Sequence, residues 1–285
     1  MNSFFLFERY FFWLVFYSFV GWIYESLLES FRQKKPVNRG FLYGPYLPIY
    51  GSGALIDVLI LGQIKNPVLL FLLSAFLTCT LEYLASVILE KMFGLRWWDY
   101  NDFKFTVKGK EIDVGKFNIN GRVCLVGWIA FGTLSIVLVL LIHPIVERMT
   151  NLIPHPAFDY ICVGLMLFVT IDIVMTILSL TSFTEKLKSL SSTIDHFKSG
   201  INSRMQTMAA YEKINAAYSK FTKSLNEHQK RLIRSFPALR WTRYRELTDE
   251  IKKFFFHKEN KIETERSENS DYMDDIEEID DAVNE

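Results

Sequence analysis

Residues Asn38–Ala54 read NRGFLYGPYLPIYGSGA, and this stretch decides the fold. It holds four glycines and two prolines and lies between hydrophobic segments of the chain. A helix forced through this run would be kinked or broken near Pro45 and Pro48. Irregular backbone beside a membrane span is tolerated only where protein or water covers it. The stretch is therefore either an ordinary interfacial loop or part of the entrance to a functional cavity.

The flanking sequence indicates a membrane protein. Half of the 285 residues are hydrophobic, 25 of them are Phe, and nearly all the long apolar blocks lie before residue 183. Each block is close to the roughly 20 residues that a helix needs to cross roughly 30 Å of hydrocarbon. We predict an all-α polytopic fold with about five transmembrane helices in a membrane domain over 1–182. The predicted spans are 10–31, 46–62, 67–92, 123–142 and 157–180.

Basic residues in the short connections predict the orientation of the spans, since Lys and Arg favour the cytoplasmic side. The connections after predicted spans one and three carry four and seven basic residues, whereas those after spans two and four carry one each. This alternation predicts a multi-pass protein of the cell membrane, with its N-terminus outside and its C-terminus in the cytoplasm. The loop that begins at Asn38 would lie on the cytoplasmic side.

Beyond residue 182 the apolar residues become periodic. Their three- and four-residue spacings predict a long cytoplasmic coiled-coil-like helix within an amphipathic region over 183–257. Its seam over 183–234 would join a second copy of the chain or another protein. Residues 258–285 contain 12 acidic and 3 basic residues, which predicts a disordered acidic tail. The seam residues include Leu187, Leu190, Ile194, Phe197, Ile201, Tyr211, Ile214, Tyr218, Phe221, Leu225, His228 and Leu232.

Several ionisable residues lie inside the predicted spans, where charge is costly and faces the interior of the bundle. Glu25 and Glu82 fall at similar depths of spans one and three, and Asp57 and Asp172 lie in spans two and five. We predict a polar cluster in the cytoplasmic half of the bundle. It would either bind a cation, a proton or a substrate headgroup, or consist of structural ion pairs. Its predicted members are Glu25, Glu29, Asn38, Arg39, Glu82, Glu90, Asp99, Asn118, Asn120 and Arg122.

The glycines and prolines of the opening stretch are predicted to contribute through the backbone. Close backbone packing, or backbone groups that line a cavity, would use several glycines at once, whereas a connecting loop would not. These positions are Gly40, Gly44, Pro45, Pro48, Gly51 and Gly53.

Patterns typical of common enzyme classes do not occur in the sequence. Gly51-Ser52-Gly53 lacks the form of a nucleophile elbow, and the sequence contains neither a His-Glu-x-x-His motif nor a phosphate-binding P-loop. The three cysteines show no metal-binding spacing. We therefore predict no catalytic residue, metal or cofactor, and ATP hydrolysis by the P-loop route is excluded. The basic loop after span three has little aromatic interleaving, so nucleic acid is not a predicted partner.

A series of motifs in the membrane part carries a family resemblance. FYSFVGWIYE occupies 16–25, NRGFLYGP occupies 38–45, and PIYGSG occupies 48–53. LEY at 81–83, LE at 89–90, WDY at 98–100 and FNINGR at 117–122 continue the series. Together these motifs resemble the CmpB-like ABC-transporter type IV family of bacteria, over about residues 10–180. The resemblance implies a permease that relies on a separate ATP-binding subunit, and it implies no particular catalytic or ligand residue.

Three functions therefore remain open at this point, of which the third, a membrane enzyme that acts on lipid headgroups, has no recognisable nucleophile or metal set in the sequence. The first is a transport component of unknown substrate, with energy supplied by another protein. The second is a membrane anchor or scaffold, without transport, whose coiled coil mediates oligomerisation or interactions within the cell envelope. The first two place the chain in a lipid bilayer, and neither of them makes it an enzyme.

Overall fold

Helices dominate the architecture, and contacts divide the chain into two compact units. The first unit comprises Met1–Glu185 together with Asn226–Thr242, and the second comprises Lys186–Leu225 together with Arg243–Glu285. The predicted domain limit at residue 182 remains a prediction, but the periodicity of 183–234 does not predict the return of Asn226–Thr242 to the first unit. The computed structural model describes residues 3–101, 104–107, 110–113, 115–199, 204–236, 238–242 and 247–256.

Four helical segments of the described chain are long and apolar enough to cross a membrane. A further apolar helix, α2, is extended by a π-helical turn over Asp57–Leu61 but remains shorter. At 1.5 Å per residue it reaches roughly 21 Å, less than the roughly 30 Å of a hydrocarbon core. A complete crossing by α2 therefore remains a prediction. The helices of this part are α1 (Ser3–Gln33), α2 (Pro48–Ile56), α3 (Pro67–Phe93), α4 (Leu125–Val137), α5 (His143–Asn151) and α6 (His155–Ser199).

Successive helices of the first unit alternate in direction. The start of α1 meets the α5–α6 connection, where Phe5 packs on Phe158 and Arg9 forms a 2.8 Å ion pair with Glu147. We call this the Arg9 end. The connection after α1 meets the connection after α3, where the rings of Phe41 and Trp97 lie 4.8 Å apart. We call this the Arg39 end, and its described residues include 34–47, 94–101, 115–124, 226–236 and 238–242.

The helix that contains predicted span four continues past its predicted end at Ile142. A π-helical turn over Leu138–Ile142 joins α4 to α5, and the helix continues to Asn151. Pro144 would clash with the preceding turn of a regular α-helix, but the wider π-helical turn leaves room for its ring. The connection between α5 and α6 is shorter than predicted. It consists of Leu152–Pro154, because α6 begins at His155 with Pro156 in its first turn.

Short antiparallel strand pairs organise the loop between α3 and α4. A hairpin pairs Lys104 with Asp113 within the longer loop, and Asn118 pairs with Cys124. Leu95 pairs with Trp241, so the C-terminal part of the chain returns to the Arg39 end. The strands are β1 (Leu95–Arg96), β2 (Lys104–Val107), β3 (Lys110–Asp113), β4 (Asn118–Ile119), β5 (Val123–Cys124) and β6 (Arg240–Trp241).

The prediction of one continuous helix beyond residue 183 is wrong, because the chain forms several shorter helices. The chain forms α7 (Arg204–Ser224), then α8 (Glu227–Ser235), then α9 over 247–256. Asn226 separates α7 from α8, because its side chain accepts from the Gln229 amide and caps a new helix. Within the predicted amphipathic region, Arg240 and Trp241 form β6 instead of helix, and the described residues are helical again over 247–256. The predicted acidic tail, 258–285, lies outside the described residues.

Within the second unit, the end of α6 and α7 form an antiparallel hairpin. Lys186 Nζ donates to the Ser224 carbonyl at 2.6 Å, and Lys213 lies over the ring of Phe197. Helix α9 packs on α7, where the rings of Phe254 and Tyr218 stack 5.7 Å apart. Seam residues predicted to meet another chain are buried inside this one: Leu187, Leu190, Ile194, Tyr218, Phe221 and Leu225. Oligomerisation through 183–234 remains a prediction.

Candidate functional site

Two carboxylates inside the first unit are each held by a tyrosine hydroxyl. Tyr50 of α2 donates to Glu25 Oε1 of α1 at 2.6 Å. Tyr100, in the loop after α3, donates to Glu82 Oε1 at 2.9 Å. Burial, and then the Glu82 carboxylate, raise the pKa of Tyr100, so this hydroxyl stays protonated and remains a donor. The geometry makes each tyrosine a fixed donor to one carboxylate.

The two carboxylates are close enough to interact electrostatically. Glu25 also interacts with Tyr100, and Tyr100 with Tyr50, so the two Glu–Tyr pairs form one group across three helices and a loop. Glu82 is 6% exposed, and its second oxygen, Oε2, has no hydrogen-bond partner within the described chain. We call Glu25, Tyr50, Glu82 and Tyr100 the carboxylate pair site. It could receive one group that carries a positive charge or donates a hydrogen bond.

Arg39 approaches this site from one side. Its Nε lies 3.6 Å from Glu25 Oε2, and its guanidinium also donates to the Ser235 carbonyl and covers the ring of Phe236. Asn38 is fixed beside it, because its side-chain oxygen accepts from the indole of Trp22 and from the Gly40 amide, both at 2.8 Å. Arg39 thus balances the charge of Glu25, while Asn38 shapes the loop.

Other predicted members form separate structural pairs. Arg122 donates to Glu90 and, at 2.7 Å, to the Ser86 hydroxyl, which ties the start of α4 to the end of α3. Glu29 is also buried, but its partners are Gln33 and Arg32 on its own helix. The contacts of these residues are therefore those expected for structural pairs, the second of the two alternatives predicted for the cluster.

The loop members of the predicted cluster hold the α3–α4 connection together. Asp99 lies 3.7 Å from both Arg96 and Arg240, and Asn120 donates to the Tyr83 hydroxyl at 3.0 Å. Asn118 accepts from the Gly121 amide, and Gly121 has a φ of +63°, which favours glycine. Trp98 donates to the Arg122 carbonyl at 2.9 Å and the Tyr100 amide donates to the Gly121 carbonyl at 2.8 Å, so the WDY and FNINGR motifs bind each other and position Tyr100.

A carboxylate outside the predicted cluster fixes the glycine-rich loop. Asp172 of α6 is 4% exposed and accepts from the amides of Tyr43 and Gly44 at 2.8 and 2.7 Å, and from the Tyr46 hydroxyl. A carboxylate with these donors holds backbone amides that no helix satisfies. Asp172 was visible in the sequence as an intramembrane acid, but its partners in the loop are 126 or more residues away.

Helix α8 covers the other face of the same loop. His228 Nε2 donates to the Phe41 carbonyl at 3.1 Å, so its Nδ1 accepts from the Ser179 hydroxyl at 3.0 Å. The His228 ring stacks on Tyr43, with centroids 4.1 Å apart, and Arg231 donates to the Leu42 carbonyl. Only the heptad pattern marked His228 in the sequence, and that pattern predicts a seam rather than a loop contact.

A second buried carboxylate links three helices midway along the bundle. Asp57 accepts from the Ser74 hydroxyl of α3 at 2.6 Å and from the Ser135 hydroxyl of α4. Asp57 begins one π-helical turn, and Ser135 lies just before the other. Both carboxylate oxygens have donors, so this group has the arrangement of a polar clamp between helices.

The predicted glycine positions differ in how closely neighbouring atoms approach the backbone. A Cβ at Gly51 would lie 2.2 Å from the Leu14 carbonyl oxygen of α1, whereas one at Gly53 would meet nothing nearer than 3.6 Å. Gly40 and Gly44 belong to the loop between Asp172 and α8, Pro45 follows in that loop, and Pro48 is the first residue of α2. Among the described residues, no group of three His, Cys, Asp or Glu side chains could hold a metal ion.

Comparison with known proteins identifies a family for the chain. The family model described as "Putative ABC-transporter type IV" matches residues 12–112 and 113–177, more than half of the chain, so the chain belongs to this family. No curated protein and no solved structure matches the chain.

Proposed function

We propose that this member of the ABC-transporter type IV family is the membrane-spanning, permease-like component of a transporter, and that a separate ATPase supplies its energy. The carboxylate pair site is the observation that carries the proposal. Charged side chains inside a bundle are costly and are found where a ligand or ion passes. Glu25 and Glu82 come from different helices and interact electrostatically, and Glu82 retains an oxygen without a partner in the described chain.

The Arg39 end is the proposed cytoplasmic face, on which the ATPase would bind. Arg32 in the last turn of α1 and three Lys or Arg residues after it lie at this end, and seven surround the α3–α4 connection, whereas Arg148 is the one Lys or Arg between Ile142 and Pro156. This distribution supports an N-terminus outside and a C-terminus in the cytoplasm of the cell. Helix α8 and the loop of residues 38–46 lie at this end and contact each other, so a protein bound to α8 would act on the loop and on Arg39.

Purification from native membranes tests this proposal directly. The tagged full-length chain, extracted in a mild detergent, should bring down a P-loop ATPase in stoichiometric amount, and the complex should hydrolyse ATP. Glu82→Gln should keep the ATPase bound while changing its hydrolysis rate, and Glu29→Gln, a buried carboxyl of α1 paired within its own helix, should match the wild type. Repeated purifications without an ATPase would contradict the proposal.

The alternative function is a membrane anchor for a cytoplasmic binding unit. The compact second unit favours it, because a hairpin of α6 and α7 with α9 packed on it can bind a partner without any transport. The same purification distinguishes the two functions. A scaffold should bring down a protein without a nucleotide-binding site and should tolerate Glu82→Gln in every assay.

A further inference from the structure

We propose that the carboxylate pair site binds one positive charge, as a proton or an alkali-metal ion. This deepens the proposed function by giving the charge of the coupling ion or cargo. It rests on that function only for the claim that the bound charge moves across the membrane. The binding itself follows from the arrangement of four side chains.

Charge balance is the first argument. Glu25 and Glu82 bring two negative charges into one region of the bundle, and the cation that approaches them is Arg39, 3.6 Å from Glu25. The arginines of the α3–α4 connection have other partners: Arg122 binds Glu90 and Ser86, and Arg96 lies 3.7 Å from Asp99. Within the described chain, one carboxylate charge therefore has no cation beside it in a setting of low dielectric, where this is costly. Binding one positive charge removes the cost.

The unused oxygen of Glu82 is the second, independent argument. Oε1 accepts from Tyr100, but Oε2 is buried and has no donor among the residues that the structure describes. A carboxylate oxygen deprived of water costs free energy unless a proton, a cation or a donor reaches it. The orphan oxygen thus marks where the positive charge sits.

The surrounding groups suit a small ligand of single charge. Hydroxyl oxygens of Tyr50 and Tyr100 have lone pairs that can complete the shell of an alkali ion, whereas a divalent metal would draw on more carboxylates or imidazoles than the described site offers. The titratable and charged groups that interact with the pair are Tyr24, Arg39, Tyr50, Cys79, Tyr100 and Cys124.

The experiment measures the thermal stability of the purified full-length chain in detergent between pH 4.5 and 8.5, in choline chloride. NaCl or KCl then replaces choline at constant ionic strength. If the ligand is a proton, the folded chain binds one more proton than the unfolded chain, so stability rises as the pH falls. If the ligand is an alkali ion, stability rises with the concentration of that ion and saturates. Glu82→Gln should abolish either response, and Glu29→Gln should retain it.

Tyr100→Phe provides a second test that does not depend on the folding of Glu82→Gln. Loss of the donor to Glu82 disfavours the charged carboxylate, so a proton response should move about one unit toward higher pH. An alkali-ion response should instead need about tenfold more salt. Equal pH and salt dependence in wild type, Glu82→Gln and Tyr100→Phe would overturn the proposal. Since no ATPase is present, that result leaves the copurification test of transport unaffected.

Discussion

At the scale of single residues, the first unit depends on where small or charged side chains meet backbone. Gly51 lets α2 approach the backbone of α1, since a Cβ there would lie 2.2 Å from the Leu14 carbonyl and from the Ser18 hydroxyl. Asp172 supplies acceptors for amides of a loop that makes few backbone hydrogen bonds of its own. Asp172 fixes the loop that leads into α2, and Gly51 fixes α2 against α1. Both therefore help to hold Tyr50 of α2 at the carboxylate pair site.

Gly51→Ala should destabilise the chain by about 1–3 kcal/mol, because the new methyl group must push α2 away from α1. Gly53→Ala is the matched control. Its nearest neighbour is a Thr78 methyl at 3.6 Å, so the change should be neutral, or stabilising by up to about 1 kcal/mol through helix propensity. The measurement is the free energy of unfolding in mixed micelles titrated with denaturing detergent. Equal values for the two variants would show that the helices do not meet at Gly51.

Asp172→Asn should cost about 1–3 kcal/mol, because an amide replaces one of the two accepting oxygens and turns a donor toward the loop amides. Thr176→Val, which removes a single 3.2 Å bond to the same carboxylate, should cost less, about 0.5–1.5 kcal/mol. The same unfolding titration measures both. Limited proteolysis should also cut residues 38–46 faster in Asp172→Asn, and unchanged cleavage would contradict the role of this carboxylate.

At the scale of elements, α8 illustrates how a helix with a coiled-coil pattern can serve another purpose. Its buried residues are His228, Gln229, Leu232, Ile233 and Ser235, a stripe typical of a helix with one buried face. Polar groups within that stripe bind loop and helix backbone, as Gln229 does when its side-chain amide donates to the Ser179 carbonyl at 2.8 Å. Burial lowers the pKa of His228, and Arg231 lowers it further, while the bond to Phe41 and the charge of Asp172 oppose this shift.

The lowered pKa of His228 makes the docking of α8 sensitive to acid. Undocked, the ring takes up a proton near its ordinary pKa of about 6.5; docked, it does so only at lower pH. The stabilisation is therefore complete above about pH 6.5 and is lost as the pH falls toward the lowered value. Hydrogen exchange of residues 227–235 between pH 5 and 8 should show faster exchange at the acid end, after correction for the intrinsic rate. His228→Gln keeps a donor and an acceptor without titrating, so its protection should be independent of pH.

At the scale of the whole molecule, the chain leaves the first unit at Glu185 and re-enters it at Asn226. The exit and return are close together, since Asn226 Nδ2 donates to the Ser179 hydroxyl at 3.3 Å. Residues 186–225 of the second unit thus lie in the chain between two parts of the first unit, and α8 and β6 belong to the Arg39 end. The family match ends at residue 177 and does not include Asn226–Thr242 of the first unit.

A chain in which a short Gly/Ser linker replaces 186–225, and which ends at Thr242, should keep the fold of the first unit. Proteolysis should cut its loop of residues 38–46 as slowly as in the full chain, because Phe41, Leu42 and Asn38 keep their bonds to α8. The matched control ends at Glu185 and lacks α8. Its loop should be cut faster, and equal rates in the two shortened chains would contradict the role of α8.

Single cysteines test the proposed orientation. The three natural cysteines are buried, so their background labelling should be low. Pro36→Cys at the Arg39 end and Leu152→Cys at the Arg9 end replace exposed residues. In intact cells, a membrane-impermeant maleimide should label Leu152→Cys and should label Pro36→Cys only after lysis. The reverse pattern would place the N-terminus inside.

The sequence by itself determined the helical class, the apolar segments and the family, because composition, segment length and short motifs are local properties. It also marked the two carboxylates that meet, since residues at similar depths of parallel-running spans are brought together by any compact bundle. Only the tertiary structure decided which residues became partners. Tyr50 and Tyr100 bind Glu25 and Glu82, Asp172 binds a loop far away in sequence, and α8 returns to cover that loop. Period and hydropathy show that a face will be buried, but they carry no information about what buries it. That information arises only when distant segments pack together.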